Sequence, residues 1–223
     1  MFVDDLLPTP TEKTEKLIKS FYAHPKKVII SKLSLQENEV RKYILTEYTR
    51  LGTAPAVEKI KEKFQNLDVD SILQKLDTLD FIYLNADKTR IECSYPFSTG
   101  KTIHEVEMDG TKLYCNCALD ALGVPFIFGK DIIISSQCGF TGEPITIKIE
   151  NKKIVSRTHS NIWVWNSYYW CGKSVNSCCK RMLFFTSSTA LDEWVKTHPG
   201  EEGERLALSE ALFISKYLFE SFI

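Results

Sequence analysis

The spacing of apolar residues in the first third of the chain predicts helices, because these residues recur every three or four positions. The first helix begins at residues 9–12, which supply a cap, a first-turn proline and an acidic N3 residue. A second begins at the capping box 34–37 and ends at Gly52. Two more begin at Pro55 and Asp68. The apolar faces of the first and last of these helices are Leu17, Ile18, Phe21 and Tyr22, and Val69, Ile72, Leu73, Leu76 and Leu79.

A hairpin is predicted after these helices. Residues 81–84 and 90–93 are short runs of strand-forming residues, and the polar segment 85–89 separates them as a turn. Helices followed by a hairpin resemble a winged helix. Its recognition helix would be the segment 68–80, which carries four aspartates against one lysine. Because DNA phosphates would repel that charge, the sequence favours a structural or substrate-covering role over DNA binding.

The rest of the chain has the patterns of strands and two closing helices. Runs of β-branched or aromatic residues at 130–135, 144–149 and 180–185 are bounded by turn residues, which predicts strands. Helical periodicity returns at 191–196 and 207–219.

These elements predict an α+β fold in two parts. We expect residues 1–94 to form an N-terminal winged-helix-like helical domain, and residues 95–223 to form a domain of small antiparallel sheets flanked by helices that carries the cysteines. The hydrophobic residues make up 43% of the chain, which is enough to bury a core.

The charge of the chain is nearly balanced, with 28 Lys and Arg against 29 Asp and Glu. Proteins that bind nucleic acid usually have a basic excess, so nucleic acid is not expected as a partner. Residues 1–5 are acidic where a secretion signal would be basic, and no apolar run approaches the length of a membrane span. The sequence therefore predicts a soluble cytoplasmic protein that does not associate with membranes.

Seven cysteines are the most unusual feature of the composition. Without a secretion signal, and with an odd number, they are expected to be reduced thiols. They lack the paired C-x2-C spacing of a structural zinc site, the four histidines show no ligand spacing, and motifs of hydrolases, P-loops and dinucleotide-binding folds are absent from the sequence. The cysteines are Cys93, Cys115, Cys117, Cys138, Cys171, Cys178 and Cys179.

Cys117 and Asp120 place a thiol and a carboxylate three residues apart. We expect Cys117 to begin a helix that Gly123 and Pro125 terminate, so that unpaired N–H groups and the helix dipole favour its thiolate. Asp120 would share the same face and could exchange a proton with that sulfur. Such pairs also arise by chance, and a buried cysteine beside a surface aspartate is the structural alternative.

Cys178 and Cys179 precede a predicted strand. If residues 177–185 form that strand, adjacent side chains point to opposite faces and only one of the two thiols can meet Cys117. Cys93 and Cys138 are more typical of apolar packing. A dense aromatic cluster could form a cavity wall or a plain core: Trp163, Trp165, Tyr168, Tyr169 and Trp170.

At these residues the chain resembles the organomercurial lyases (alkylmercury lyases). Residues 114–122 are similar to the first catalytic motif of that family, and residues 135–144 to its next stretch. The segment 178–185 resembles its second catalytic segment, and residues 192–211 match its C-terminal part in order. The resemblance covers about residues 95–219 and extends more loosely to the winged-helix-like N-terminus.

The resemblance implies cleavage of carbon–mercury bonds by protonolysis. Cys117 and Cys178 would be the two mercury-binding thiols, Asp120 the proton carrier beside the metal, and Cys138 a structural residue. The products would be a hydrocarbon and Hg(II) held by both sulfurs, with no organic cofactor or permanent metal. The partners implied are an organomercurial substrate, small thiols that release Hg(II), and a mercuric reductase.

Cys115 and Cys171 are departures from the family pattern, and an extra thiol could compete for the metal.

Two other interpretations of the cysteines stay open at this point. A soft-metal sensor or sequestering protein would use the same thiols without cleavage, and a structural domain would only pack them. Asp120 separates the enzyme from the pure binder, because binding alone does not need a proton carrier beside the thiol.

Overall fold

The computed structural model describes residues 1–20, 30–169, 171–220 and 222–223, apart from the side chains of Asp4 and Ser20. The predicted contributions of Phe21, Tyr22 and Trp170 lie outside the described residues. Within them the chain is a mixture of helices and antiparallel sheet, as the sequence predicts. No helix in this part of the chain combines the length and the apolarity that crossing a bilayer requires.

Seven α-helices lie in the described part of the chain, and the four predicted near the N-terminus are all found. The first begins at Glu12 and not at Pro10, because Thr11 Oγ1 accepts the Thr14 N–H and so caps the helix two residues later than expected. Asp68 accepts the Ser71 N–H at the start of its helix, and Ser34 forms the predicted capping box with Glu37. The helices are α1 (Glu12–Ser20), α2 (Leu35–Leu51), α3 (Val57–Lys63), α4 (Val69–Thr78), α5 (Ala118–Phe128), α6 (Ser188–Thr197) and α7 (Leu208–Phe219).

The strands of the described part form two antiparallel sheets. The larger has nine strands in the order β1-β9-β8-β7-β5-β6-β4-β3-β2, and the smaller has the order β11-β10-β12. Their bounds are β1 (Phe2–Leu6), β2 (Ile82–Leu84), β3 (Ile91–Ser94), β4 (Phe97–Ser98), β5 (His104–Met108), β6 (Thr111–Cys115), β7 (Ile132–Gln137), β8 (Pro144–Glu150), β9 (Lys153–Arg157), β10 (Trp163–Ser167), β11 (Phe184–Phe185) and β12 (Gly203–Ala207).

The large sheet joins segments that the sequence assigned to separate units. The predicted hairpin is β2 and β3, and β4 connects it to β6 through the pairs Phe97–Cys115 and Ser98–Tyr114. The sheets were expected to be small, but main-chain pairing through β4 extends one of them to nine strands. The hairpin is therefore not an isolated wing, and the division at residue 95 stays a prediction.

One predicted strand is wrong. Residues 177–185 do not form a continuous strand: Ser174–Asn176 and Cys178–Arg181 are short 3-10 turns, and pairing with β10 begins only at Phe184. The 3-10 turns close through local bonds such as Met182 N–H to the Cys178 carbonyl, at 3.0 Å. The β-branched and aromatic composition favoured a strand, but only the final pair of phenylalanines meets a partner strand.

Candidate active site

Cys117 lies where the large sheet meets α5. β6 ends at Cys115, and Cys117 is the N-cap of α5 with an extended backbone (φ −156°, ψ 175°). Its Sγ accepts a hydrogen bond from the Asp120 N–H at 3.3 Å, so a sulfur takes the place of the usual capping oxygen. The predicted helix start is confirmed.

The end of this helix differs from the expectation. α5 continues through Gly123 and Pro125 to Phe128 and ends at Gly129, which has φ +64°. The helix is buried from Ala118 to Phe126, and the Phe219 ring of α7 packs directly against Gly123. Tertiary packing therefore maintains the helix past a proline that costs it one hydrogen bond.

Asp120 is on the first turn of α5 and is 4% exposed. This rules out the alternative in which a buried cysteine lies beside a surface aspartate. Cys117 is 2% exposed, and the thiol and the carboxylate therefore share one buried environment. An acidic group at the N-terminal turn is favoured by the helix dipole.

Cys179 completes a compact cluster with these two residues. Ligand atoms of Cys117, Asp120 and Cys179 all lie within 4.8 Å of one another, and among the described residues no other set of three potential metal ligands is grouped in this way. Cys179 is 6% exposed. The two protein segments also meet through the backbone, because the Ala118 N–H donates to the Met182 carbonyl at 3.0 Å.

Cys178 lies next to this cluster. The sequence assigned the second thiol to Cys178, whereas the structure groups Cys179 with Cys117 and Asp120 and leaves Cys178 hydrogen-bonded to Cys179. Because the two cysteines lie in a 3-10 turn, the expectation of opposite strand faces does not apply, and both side chains are buried. Sequence reasoning had set Cys179 aside. No local pattern separates the two adjacent cysteines, because the choice between them depends on where the segment first pairs with β10.

Burial and mutual hydrogen bonds set the acidity of the three thiols. Burial raises the pKa of Cys117 to about 11, although the hydrogen bond from Cys179 acts in the opposite direction. Thiol hydrogen bonds with Cys117 and Cys178, together with burial, raise the pKa of Cys179 well above its ordinary value. The hydrogen bond from Cys179 lowers the pKa of Cys178. The expected thiolate at Cys117 is therefore not favoured in the free protein, since burial outweighs the helix N-terminus.

The remaining cysteines lie outside the cluster. Cys138 has Thr186 Oγ1 at 3.7 Å, and although burial would raise its pKa, hydrogen bonds led by Thr141 lower it. Cys93 and Cys115 are fully buried in strands, and Cys171 is exposed. Burial raises the pKa of Cys115 well above its ordinary value. The burial of Cys93 and Cys138 agrees with the prediction that these two cysteines are apolar packing residues.

Among the described residues of the aromatic cluster, Trp165 is buried in the core, and Trp163 and Tyr168 are half-buried and pack against it. Trp165 and Phe185 pack against Trp194 with ring centroids 5.8 and 5.6 Å apart. Tyr169 instead lies over Arg181, with the guanidinium carbon 3.9 Å from the ring centre. This agrees with the plain-core interpretation of the cluster, while Tyr169 adds a contact at the end of the cysteine turn.

The arrangement is suited to binding a soft metal in a dry site and moving a proton there. Thiolates are the preferred protein ligands of soft cations, and two thiols converge on one position. A carboxylate within the same 4.8 Å can accept a thiol proton and pass it on. Burial on all sides keeps bulk water from competing for either step.

Comparison with known proteins gives consistent matches over the part of the chain that carries this cluster. The sequence profile of the alkylmercury lyase family matches residues 97–220. An alkylmercury lyase of Staphylococcus epidermidis is 31% identical over 151 residues, which cover 67% of this chain and 68% of that protein. One of Bacillus cereus is 34% identical over 118 residues, or 52% of this chain and 53% of that protein.

The fold also matches a solved structure. The crystal structure of the mercury-bound form of MerB2 superposes with a TM-score of 0.75 at 23% sequence identity, covering 93% of this chain and 98% of that chain. At this level of identity the match concerns the fold, which includes the N-terminal helices as well as the large sheet.

Proposed function

Because the chain belongs to the alkylmercury lyase family, we propose that it cleaves the carbon–mercury bond of organomercurials by protonolysis. The substrate is an alkyl- or arylmercury compound, and the products are a hydrocarbon and Hg(II). The observation that carries this proposal is the buried group of Cys117, Asp120 and Cys179, with ligand atoms within 4.8 Å of one another.

We assign the first mercury-binding thiol to Cys117 and the proton carrier to Asp120. The second thiol comes from the pair Cys178 and Cys179. The family resemblance points to Cys178, but the distances favour Cys179, and its hydrogen bonds to both other thiols place it between them.

The proposed reaction proceeds in three steps. A cysteine thiolate displaces the leaving ligand X from R–Hg–X and forms a sulfur–mercury bond. The second thiol then bonds to mercury and transfers its proton to Asp120. Asp120 finally protonates the carbon, whose new C–H bond takes the electron pair of the carbon–mercury bond. R–H leaves, and Hg(II) stays bound to two thiolates.

Regeneration requires other thiols. Two small thiols in solution, or the cysteines of a mercuric reductase, exchange with the protein sulfurs and carry Hg(II) away, while the protein thiols recover their protons. No organic cofactor or resident metal enters this scheme. We further propose that the N-terminal helices form a winged-helix-like unit that covers the site without binding nucleic acid or membranes, and that the protein acts in the cytoplasm.

A product assay tests this function. The reduced protein is incubated with phenylmercury acetate and excess cysteine, and benzene is measured by gas chromatography. We expect catalytic turnover in the wild type and loss of at least about a hundredfold in kcat for Cys117→Ser and Asp120→Asn. Cys93→Ser, which removes a buried thiol outside the cluster, is the matched control and keeps its activity. Wild-type protein that binds phenylmercury but releases no benzene would overturn the proposal in favour of a soft-metal sensor or sequestering protein.

The same assay identifies the second thiol. We expect Cys179→Ser to lose turnover as severely as Cys117→Ser, and Cys178→Ser to lose only a small part. The reverse order would assign the role to Cys178, as the sequence comparison had suggested.

A further inference from the structure

The cysteine turn is joined to the N-terminal half of the molecule by a small group of side chains. Tyr95 Oη accepts the Val175 N–H at 2.6 Å and donates to Asp80 Oδ1 at 3.4 Å. Ser174 Oγ donates to Asp80 Oδ2 at 2.5 Å. We call these four residues the clasp: Asp80 and Tyr95 on one side, Ser174 and Val175 on the other.

The clasp acts on a segment with little regular structure of its own. Between β10 and β11 the described residues contain only the two 3-10 turns, Ser174–Asn176 and Cys178–Arg181. Inside the segment, Ser177 Oγ accepts the Cys171 N–H at 2.7 Å and donates to the Lys173 carbonyl at 2.6 Å. These bonds shape the loop but do not attach it to the rest of the protein.

The far end of the segment has its own attachment. Arg181 pairs with Glu201 and lies over the Tyr169 ring, and the Met182 carbonyl accepts the Ala118 N–H. Cys178 and Cys179 therefore lie between two points of attachment, which we call the near and the far anchor. The near anchor is the clasp, supported by an ion pair of Lys173 with Asp77 at 3.4 Å between Nζ and Oδ2.

Tyr95 is the central member of the clasp. Its ring is buried, and its hydroxyl is the group that bonds both the Val175 backbone and Asp80. Burial raises its pKa, and the acidic groups of Cys93, Cys179, Asp80 and Asp120 raise it further when they are ionised. Asp80 has φ +59°, the left-handed turn at the end of α4 that turns its carboxylate toward the segment.

We propose that Tyr95 is a positioning residue that holds the Cys178–Cys179 turn at the distance from Cys117 and Asp120 that the reaction needs. Its hydroxyl fixes the backbone of Val175, and that backbone leads directly into the turn. The proposal rests on the proposed function for its effect on catalysis. The structural effect, which is the protection of the two thiols, can be measured without turnover.

The test uses the full-length reduced protein and the variants Tyr95→Phe and Ser174→Ala. Each variant removes one hydroxyl and leaves the surrounding packing in place. The matched control is Tyr48→Phe, because Tyr48 is also fully buried and its hydroxyl bonds Thr99 Oγ1 at 2.6 Å, away from the cysteine turn. The readouts are the rate of iodoacetamide labelling of each cysteine, mapped by mass spectrometry, and the kcat and KM for phenylmercury acetate.

We expect Tyr95→Phe to raise the labelling rate of Cys178 and Cys179 about fivefold to tenfold, because one lost hydrogen bond shifts a local opening equilibrium by about that factor. Ser174→Ala gives a smaller increase in the same direction. Labelling of buried Cys115 does not change. The kcat of Tyr95→Phe falls about tenfold to a hundredfold through misplacement of the second thiol. Tyr48→Phe changes neither quantity, although its melting temperature falls by a similar few degrees.

Equal labelling of Cys178 and Cys179 in wild type and Tyr95→Phe would overturn the clasp. So would a parallel increase in Tyr48→Phe, since general loosening would then explain both. If the labelling pattern is as expected but the wild type releases no benzene, the clasp stands and the proposed function fails. If the wild type releases benzene and the pattern is absent, the proposed function stands and the clasp is wrong.

Discussion

Cys117 and Cys179 lie within 4.8 Å of each other, yet the parts of the molecule that carry them are built differently. Cys117 is fixed by regular structure: it follows a central strand of the large sheet and caps a helix buried from Ala118 to Phe126. Cys179 lies in a 3-10 turn that is held at one end by the side chains of the clasp and at the other by Arg181 and the main-chain bond from Ala118 to Met182.

This difference determines how easily each of the two segments can open locally. Main-chain hydrogen bonds and core packing can open only when much of the domain unfolds, so Cys117 and Asp120 keep a fixed relation to each other. Side-chain contacts break one at a time at small cost. The Cys178–Cys179 turn therefore depends on weaker individual contacts than the segment that carries Cys117 and Asp120.

The largest expected effect concerns the rigid side. A Cβ at Gly123 would lie 2.2 Å from the nearest Phe219 ring atom, so Gly123→Ala must displace either the ring or α5. Alanine is the better helix former by about 1 kcal/mol, but we expect a net loss of about 2 kcal/mol or more in the free energy of unfolding. Urea unfolding of the wild type and Gly123→Ala measures this loss.

A second substitution sharpens that result. In the Phe219→Leu background the added methyl group meets a smaller side chain, and we expect Gly123→Ala to cost less than in the wild type. An equal cost in both backgrounds would contradict the role assigned to the contact between α5 and α7.

An intermediate effect is expected at alkaline pH. The folded pKa of Cys117 is raised to about 11 from an ordinary value near 9, because burial disfavours the thiolate. The protonated thiol therefore contributes stability that is fully present below about pH 9 and is lost as pH rises through about 11. Two pKa units correspond to a contribution on the order of 2 kcal/mol.

Comparing the free energy of unfolding at pH 8 and pH 10.5 tests whether stability falls as the pH rises. Cys117→Ser is expected to lose less stability over that interval than the wild type, whereas Cys171→Ser, which changes an exposed thiol, follows the wild type. If Cys117→Ser shows the full alkaline loss, the burial of this thiol does not set the pH dependence.

The smallest expected effect concerns the far anchor of the Cys178–Cys179 turn. Arg181→Met removes the ion pair with Glu201 and the contact over Tyr169 while keeping most of the side-chain volume. Because Arg181 is partly exposed, we expect a change of less than about 1 kcal/mol in the free energy of unfolding. The kcat for phenylmercury should fall several-fold.

The matched control for this variant is Arg50→Met, which breaks an exposed ion pair with Glu47 on α2, remote in sequence from the cysteine turn. It should leave kcat unchanged. A kcat of Arg181→Met equal to that of the wild type would show that the clasp alone holds the turn.

Much of this molecule follows from its sequence. The capping box at Ser34, the glycine stop at Gly52 and the cap at Asp68 were predicted correctly, because these signals act within a few residues. The first helix was predicted to begin two residues too early, since Thr11 and not Thr9 caps it. The helix start at Cys117 and the position of Asp120 one turn later were predicted for the same reason. The family of the protein was also recognisable from the order of its motifs.

Other features depended on distant contacts. The sequence expected α5 to end at Gly123 and Pro125, but the Phe219 ring of α7 packs on Gly123 and the helix continues. It expected a strand through the two adjacent cysteines, but partner residues for pairing begin only at Phe184. Neither the end of α5 nor the start of β11 can be predicted from neighbouring residues alone, because the residues that determine them are far away along the chain.

The chain by itself determined the local chemistry of this protein: a thiol and a carboxylate on one helical turn, two adjacent thiols later in the sequence, and the helices and strands that carry them. Only the tertiary structure decided which of those adjacent thiols faces Cys117, how far burial raises the pKa values of Cys117 and Cys179, and which side chains hold the second segment in place. The physical reason is one of range. Capping and periodicity act over single turns, whereas desolvation and side-chain anchoring depend on segments that meet only in the folded chain.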